Sequence, residues 1–168
     1  IAQCLVGSEM CIRDSPRYPY HLLREEMQEF ILDKLQLLIE RKLIKGIGEN
    51  GTEYTVIAQI LDLPKEILRL IQKFDFTKKN PKLIYINTGE TMISLQDSIL
   101  VTFLNLAGFD ILFFVPRGYQ SVENYFAEKL MEEHQIGEYK YDMQVPDLNN
   151  ISTNSTRSSW RRKLFRRG

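Results

Sequence analysis

The residue types best suited to chemistry gather in one turn, and in the loop that a parallel sheet would place beside it. Thr88, Gly89, Glu90, Thr91 and Ser94 lie between a short apolar run and a helical one, and Arg117 follows a second apolar run. Hydroxyls and a glycine ahead of a helix offer an anion free backbone N–H groups and the positive end of the helix dipole. Glu90 would repel a phosphate unless it held a ribose hydroxyl or a metal, and the turn itself carries no lysine, arginine or histidine. Arg117 would then supply the positive charge, because carboxyl-end loops of adjacent parallel strands share one crevice. The same residues also suit any β-to-α connection, where Gly makes the turn and Thr or Ser caps the helix. Arg117 has an equal reading as a solvated loop residue. The chemistry indicated is contact with a nucleotide-type ligand; the catalytic residues and the cofactor stay unknown.

Other chemistries find no support. His21 and His134 belong to no HExxH pattern and have no neighbouring cysteine, and a positioned base needs a second group to orient it. Neither GxxxxGK[ST] nor GxGxxG occurs. Asp97 and Asp110 read as a helix-start carboxylate and a strand-entry residue rather than an acid/base pair. Both cysteines, Cys4 and Cys11, fall within IAQCLVGSEMCIRDS, which resembles translated sequencing-adaptor read-through. With residues 1–15 set aside as an artefact, no thiol remains for a disulfide, a zinc cluster or a nucleophile, and no metal site is expected. If the segment is genuine, it reads as a poorly ordered terminus.

The elements that must position the turn follow from periodicity. Leu83 to Asn87 and Ile111 to Val115 are apolar runs bounded by turn residues, and they read as buried parallel strands. Between them Ile99, Leu100, Phe103, Leu104 and Ala107 recur at helical spacing, Ser94 and Asp97 form a capping box, and Gly108 stands at the C-cap. A right-handed crossover joins the strands. Upstream, Tyr20 to Lys45 is one amphipathic helix with Leu23, Met27, Phe30, Ile31, Leu35, Leu38 and Ile39 on its apolar stripe, stopped by Gly46, Gly48 and Gly51. Tyr54 to Leu61 fits helix and strand alike. Helix is favoured because Asp62-Leu63-Pro64 then begins another, with Pro64 at its first position and Ile67, Leu68, Ile71 and Phe74 facing a core. Ser121 caps a further helix with Val122, Tyr125, Phe126 and Met131 inward, and Tyr139 to Met143 gives a short edge strand. The fold class expected is α/β: a Rossmann-like parallel βαβ unit over residues 81–146, a helical N-terminal portion over 16–80, and a flexible linker with a disordered basic C-terminal tail over 147–168.

An apolar fraction of 43% is enough for a core. The formal net charge is zero, yet Arg157, Arg161, Arg162, Lys163, Arg166 and Arg167 crowd the last residues without a carboxylate among them, so the body before them is acidic. Trp160, Arg161, Arg162, Lys163, Leu164, Phe165, Arg166 and Arg167 form an electrostatic anchor with a small apolar wedge, suited to an anionic membrane surface or an acidic protein partner. The plain alternative is a solubilising tail. An acidic body opposes nucleic-acid binding. No run reaches the roughly 18 apolar residues of a membrane span, and no signal-peptide pattern opens the chain. A cytoplasmic protein is expected, peripheral to the inner membrane face through its tail. The chain also reads as truncated, so the N-terminal remainder of a parent protein is an expected partner.

The runs KEILRLIQKFDFTKKNPK, LIYINTGETMISLQDSILVTFLNLAGFDILFFVPRGYQSVENYF and SSWRRKLFRRG resemble the C-terminal portion of the YceG-like family. That resemblance implies a bacterial protein encoded beside tellurium-resistance and stress-response genes as a component of a biosynthetic module. It carries over no catalytic residue. The strand, Thr/Ser/Gly/acidic turn, Leu- and Phe-rich helix and ILFFVP strand are also similar to the nucleotide-sugar half of two-domain glycosyltransferases and polyol-phosphate transferases, although the Asp-Tyr-Ser-Ser type of turn common in the latter is absent. The function these likenesses imply is the nucleotide-sugar-binding half of a glycosyltransferase-like biosynthetic enzyme. The alternative is a non-enzymatic Rossmann-like adaptor that recruits partners or membrane through its basic tail.

Overall fold

In the computed structural model, the residues described are 10–13, 15–73, 79–88, 93–118 and 122–145. A single helical turn, α1 (Met10–Arg13), precedes α2 (Glu25–Glu40), α3 (Thr52–Ile60) and α4 (Lys65–Lys73); β1 (Lys82–Ile86), α5 (Leu95–Leu106) and β2 (Asp110–Phe114) follow. Within α1, Ile12 is buried and Arg13 bonds Glu25 at 2.8 Å and Glu29 at 3.4 Å.

Helix α2 is shorter than the periodicity over Tyr20–Lys45 predicts, and both ends have a physical cause. At the start, the Tyr20 side chain is drawn into the core, where its hydroxyl donates to the Ile60 carbonyl at 2.6 Å and accepts from the Leu63 N–H at 2.9 Å. At the end, Lys42 takes φ +50, its N–H reaches the Ile39 carbonyl, and the Leu43 N–H reaches the Leu38 carbonyl. This is a Schellman closure built on lysine, ahead of the glycines expected to stop the helix. Met27, Ile31, Leu32, Leu35 and Leu38 form its buried stripe. The helix reading of 54–61 holds, with Val56, Ile57 and Ile60 buried. Pro64 sits just before α4, its carbonyl accepting from the Leu68 N–H. Ile71 is buried and Ile67 and Leu68 pack against the core, whereas Phe74 lies outside the described residues.

Strands β1 and β2 pair in parallel, Lys82 opposite Asp110 through Ile86 opposite Phe114. Their connecting helix α5 is buried nearly all round, through Ser98, Ile99, Val101, Thr102, Phe103 and Leu104. One side meets α2 and α3 and the other meets the sheet, so α5 is the middle layer. Its buried hydroxyls bond back to their own helix, Thr102 to the Ser98 carbonyl and Ser98 to the Ser94 carbonyl, both at 2.8 Å. Gly108, at φ +94, closes it as expected, with the Gly108 N–H on the Asn105 carbonyl and the Phe109 N–H on the Leu104 carbonyl.

Two expectations downstream are corrected. The stretch from Val122 to Met131 is not a helix, although Val122 and Phe126 are buried as foreseen. Its backbone is claimed by the segment after α2: the Lys45 N–H donates to the Tyr125 carbonyl, the Ala127 N–H donates to the Leu43 carbonyl, and Ile44 forms an antiparallel bridge with Phe126. Tyr139–Met143 is irregular, with a bend at Tyr141 and Asp142, rather than a third strand. The structure therefore holds a mixed helix-and-strand core on a two-stranded parallel sheet, and a full Rossmann-like half-domain is not shown among the described residues.

Candidate functional site at the open sheet

Parallel pairing brings the two sequence-predicted loops to one edge. The Asn87 N–H donates to the Phe114 carbonyl at 2.9 Å, so Thr88 and the Val115–Gly118 turn emerge side by side at the carboxyl end of the sheet. Arg117 is half-buried and holds interactions of its own. Gly89, Glu90 and Thr91 lie outside the described residues.

Ser94 is placed as the N-cap of α5, and its oxygen is already engaged. It accepts from the Asp97 N–H at 3.0 Å and donates to the Asp97 carboxylate at 2.6 Å. Asp97 thus sits on the positive end of the helix dipole, where an anionic guest would have to displace or tolerate it. Burial raises the Tyr85 phenol pKa, and the Asp97 charge adds to the effect. The Tyr85 ring stacks on Phe113 across the register, centroids 4.9 Å apart.

The amino end of the sheet carries the strand-entry aspartate. Asp110 pairs with Lys82 and lies 3.4 Å from the Asn80 amide, and these hydrogen bonds, Lys82 first, hold its carboxyl below the usual carboxylate range. No group of three or more His, Cys, Asp or Glu able to hold a metal occurs among the described residues. The histidines stand apart: His21 Nδ1 is 3.0 Å from the Tyr18 carbonyl, and His134 Nε2 is 3.7 Å from the Glu132 carboxylate at the surface.

The feature that sequence reasoning missed is the outer face of the sheet. Leu83, Tyr85, Ile111 and Phe113 point toward α5, while Ile84, Ile86, Leu112 and Phe114 point away and are 56%, 40%, 50% and 43% exposed. The strands were expected to be buried on both sides, and among the described residues only one side is covered. The signal for this face was present, since both runs are apolar without alternation. Beside β2 lies an open cavity of about 680 Å³, lined by Thr102, Asn105, Leu106, Ile111, Leu130 and Met131 among others. No pattern in the sequence announced it. The tail Trp160–Arg167 lies outside the described residues, and no helix among the described residues is long and apolar enough to cross a membrane.

The class is that of a mixed helix-and-strand protein, with a small parallel sheet covered on one face among the described residues. The chain belongs to the YceG family, whose YceG domain matches residues 8–159. An uncharacterized protein YceG of Bacillus subtilis (strain 168) is 31% identical to it over 93 residues, which is 54% of this chain and 17% of that relative. The chain therefore spans only a small part of the relative's length. No solved structure matches the chain.

The functional expectation is corrected by these matches. They identify a YceG domain, and neither carries nucleotide-sugar binding, glycosyl transfer, tellurium resistance or a biosynthetic module. The geometry gives the glycosyltransferase reading no help, because the helix N-terminus meant for a diphosphate is occupied by Ser94 and Asp97. The adaptor alternative was tied to a Rossmann-like fold that is not shown and to a tail outside the described residues.

Proposed function

We propose that this chain serves a larger YceG-domain protein as an internal layer, with the outer face of its sheet packed against the remainder of that polypeptide. The observation that carries the reading is the uncovered apolar face formed by Ile84, Ile86, Leu112 and Phe114. Parallel sheets are covered on both faces, because their strands are apolar on both. The length of the relative, of which the matched region is 17%, supplies ample chain for a cover. Full burial of a large apolar side chain is worth about 1.5–3 kcal/mol, so covering four that are already about half buried would contribute roughly 3–6 kcal/mol. Thr88 and Arg117 remain a proposed contact point at the carboxyl edge, with Arg117 supplying the positive charge and Ser94 acting as a cap.

The test is a paired substitution, Ile84→Lys with Leu112→Lys. In the 168-residue chain it should leave the melting temperature within a few degrees and reduce binding of a hydrophobic dye. In a full-length YceG-domain protein carrying this chain it should destabilise by several kcal/mol, since two lysines would then be buried without partners. Equal behaviour in the short and the full-length protein would overturn the reading.

A further inference from the structure

We propose that Asn50 is a site of spontaneous deamidation, and that the Thr52 hydroxyl speeds its conversion at the head of α3. Asn50 is followed by Gly51, the one Asn-Gly pair in the chain, and a residue without a side chain leaves its backbone nitrogen open to approach. Asn50 is exposed, in the turn between α2 and α3. That turn folds back on itself: the Glu49 and Asn50 N–H groups both donate to the Gly46 carbonyl at 3.2 Å, and Gly46 and Gly51 take φ +87 and +82. The Asn50 carboxamide lies over Gly46, where a Cβ would collide with both of its terminal atoms. Gly46, Gly48 and Gly51 have the GxGxxG spacing, which the reading of the sequence missed. The run joins two helices instead of following a strand, so it is a turn and not a dinucleotide loop.

The chemistry needs a nucleophile, an electrophile and a leaving group, and the turn supplies all of them. The nucleophile is the Gly51 backbone nitrogen, whose N–H meets no acceptor among the described residues. The electrophile is the carbonyl carbon of the Asn50 side chain. Thr52 Oγ1 donates to Asn50 Oδ1 at 2.6 Å, so the oxygen that gains negative charge as the nitrogen adds already has its donor in place. Hydroxide from solvent takes the Gly51 amide proton, the nitrogen bonds to the side-chain carbon, and the side-chain nitrogen leaves as ammonia, closing a succinimide ring. Water then opens the ring at either carbonyl and gives aspartate at position 50 or its isoaspartate isomer. The sum is one water consumed and one ammonia released.

The two products differ in what they do to α3. Asn50 stands just ahead of Gly51, the N-cap of that helix. Aspartate there places negative charge at the positive end of the helix dipole and keeps an oxygen for the Thr52 hydroxyl, so it is tolerated. Isoaspartate instead runs the main chain through the former side chain and adds a methylene between Gly46 and Gly51. The turn is held at both ends, by the bonds to the Gly46 carbonyl and by the Glu53 carboxylate, which accepts from the Gly48 N–H at 3.1 Å. A longer chain between those anchors displaces the head of α3. Val56, Ile57 and Ile60 of this helix are buried, and the Ile60 carbonyl accepts from the Tyr20 hydroxyl, so the displacement reaches the core.

Peptide mapping by mass spectrometry, after incubation of the 168-residue chain at neutral and mildly alkaline pH, reads the conversion. Asn50 is expected to convert faster than every other asparagine, to give both aspartate and isoaspartate, and to do so at a rate that rises with pH. Thr52→Val, which removes the hydroxyl and keeps the volume, should slow the conversion severalfold, and Thr52→Ser should restore it. In calorimetry, Asn50→Asp should melt close to the parent, and the separated isoaspartate form should melt a few degrees lower. Asn50 still intact after other asparagines have begun to convert, a rate unchanged in Thr52→Val, or an isoaspartate form as stable as the parent would each overturn the inference.

Discussion

Replacing Tyr20 with phenylalanine removes one oxygen and tests the joint that locks the N-terminal segment to the helical layer. That hydroxyl is buried, donates to the Ile60 carbonyl at 2.6 Å and accepts from the Leu63 N–H at 2.9 Å, linking residues 40 and 43 positions apart. A net hydrogen bond is worth about 0.5–1.5 kcal/mol, and a buried group left without a partner costs about 1–3 kcal/mol. Phenylalanine keeps the ring and its packing, so the loss should come from these polar terms and amount to about 2–3 kcal/mol. For a chain of this length that lowers the melting temperature by roughly 4–12 °C.

The pH dependence gives a second reading of the same joint. Burial, the largest cause, pushes the Tyr20 phenol up to about 12 from its ordinary 10, against a lowering by the Leu63 N–H. The neutral form is therefore the one the fold favours. Its contribution is fully present below pH 10 and is lost as pH rises from about 10 to about 12, where the phenolate can no longer donate to Ile60. Burial raises the Tyr18 and Tyr85 phenols as well, so the quantity to follow by calorimetry is the difference between wild type and Tyr20→Phe. A difference under about 0.5 kcal/mol at pH 7, or one that persists unchanged to pH 12, would refute the reasoning.

Ser94→Ala should cost about 1 kcal/mol in urea unfolding by exposing the Asp97 N–H at the start of α5, and Ser94→Asp should recover most of it. Phe103→Ala, in the fully buried centre of α5, should cost about 3–5 kcal/mol, whereas Leu112→Ala on the half-exposed outer face should cost much less; equal losses would mean that the outer face is covered in solution.

Local signals were legible where one element satisfies its own needs. Ser94 with Asp97 and Gly108 mark the ends of α5 because caps answer to groups within a turn of themselves. The two apolar runs gave parallel strands because a helix-length connection leaves little other choice. The reading failed where distant backbone intervened. Leu43 and Lys45 take the hydrogen bonds that a helix over 122–131 would have used for itself, and no local pattern in either segment reveals that exchange. The role of Tyr20 was equally hidden, since nothing near it in sequence shows that Ile60 and Leu63 will lack partners.

The sequence by itself determined the period of each element, the apolar make-up of both strand faces and the hydroxyls at the head of α5, because these depend on residues within a few positions of one another. Only the tertiary structure decided which strand face is covered, and that among the described residues the sheet stops at two strands with a cavity beside β2. Those outcomes depend on which surfaces meet across the fold, and burial is a property of pairs of surfaces that a single segment does not contain.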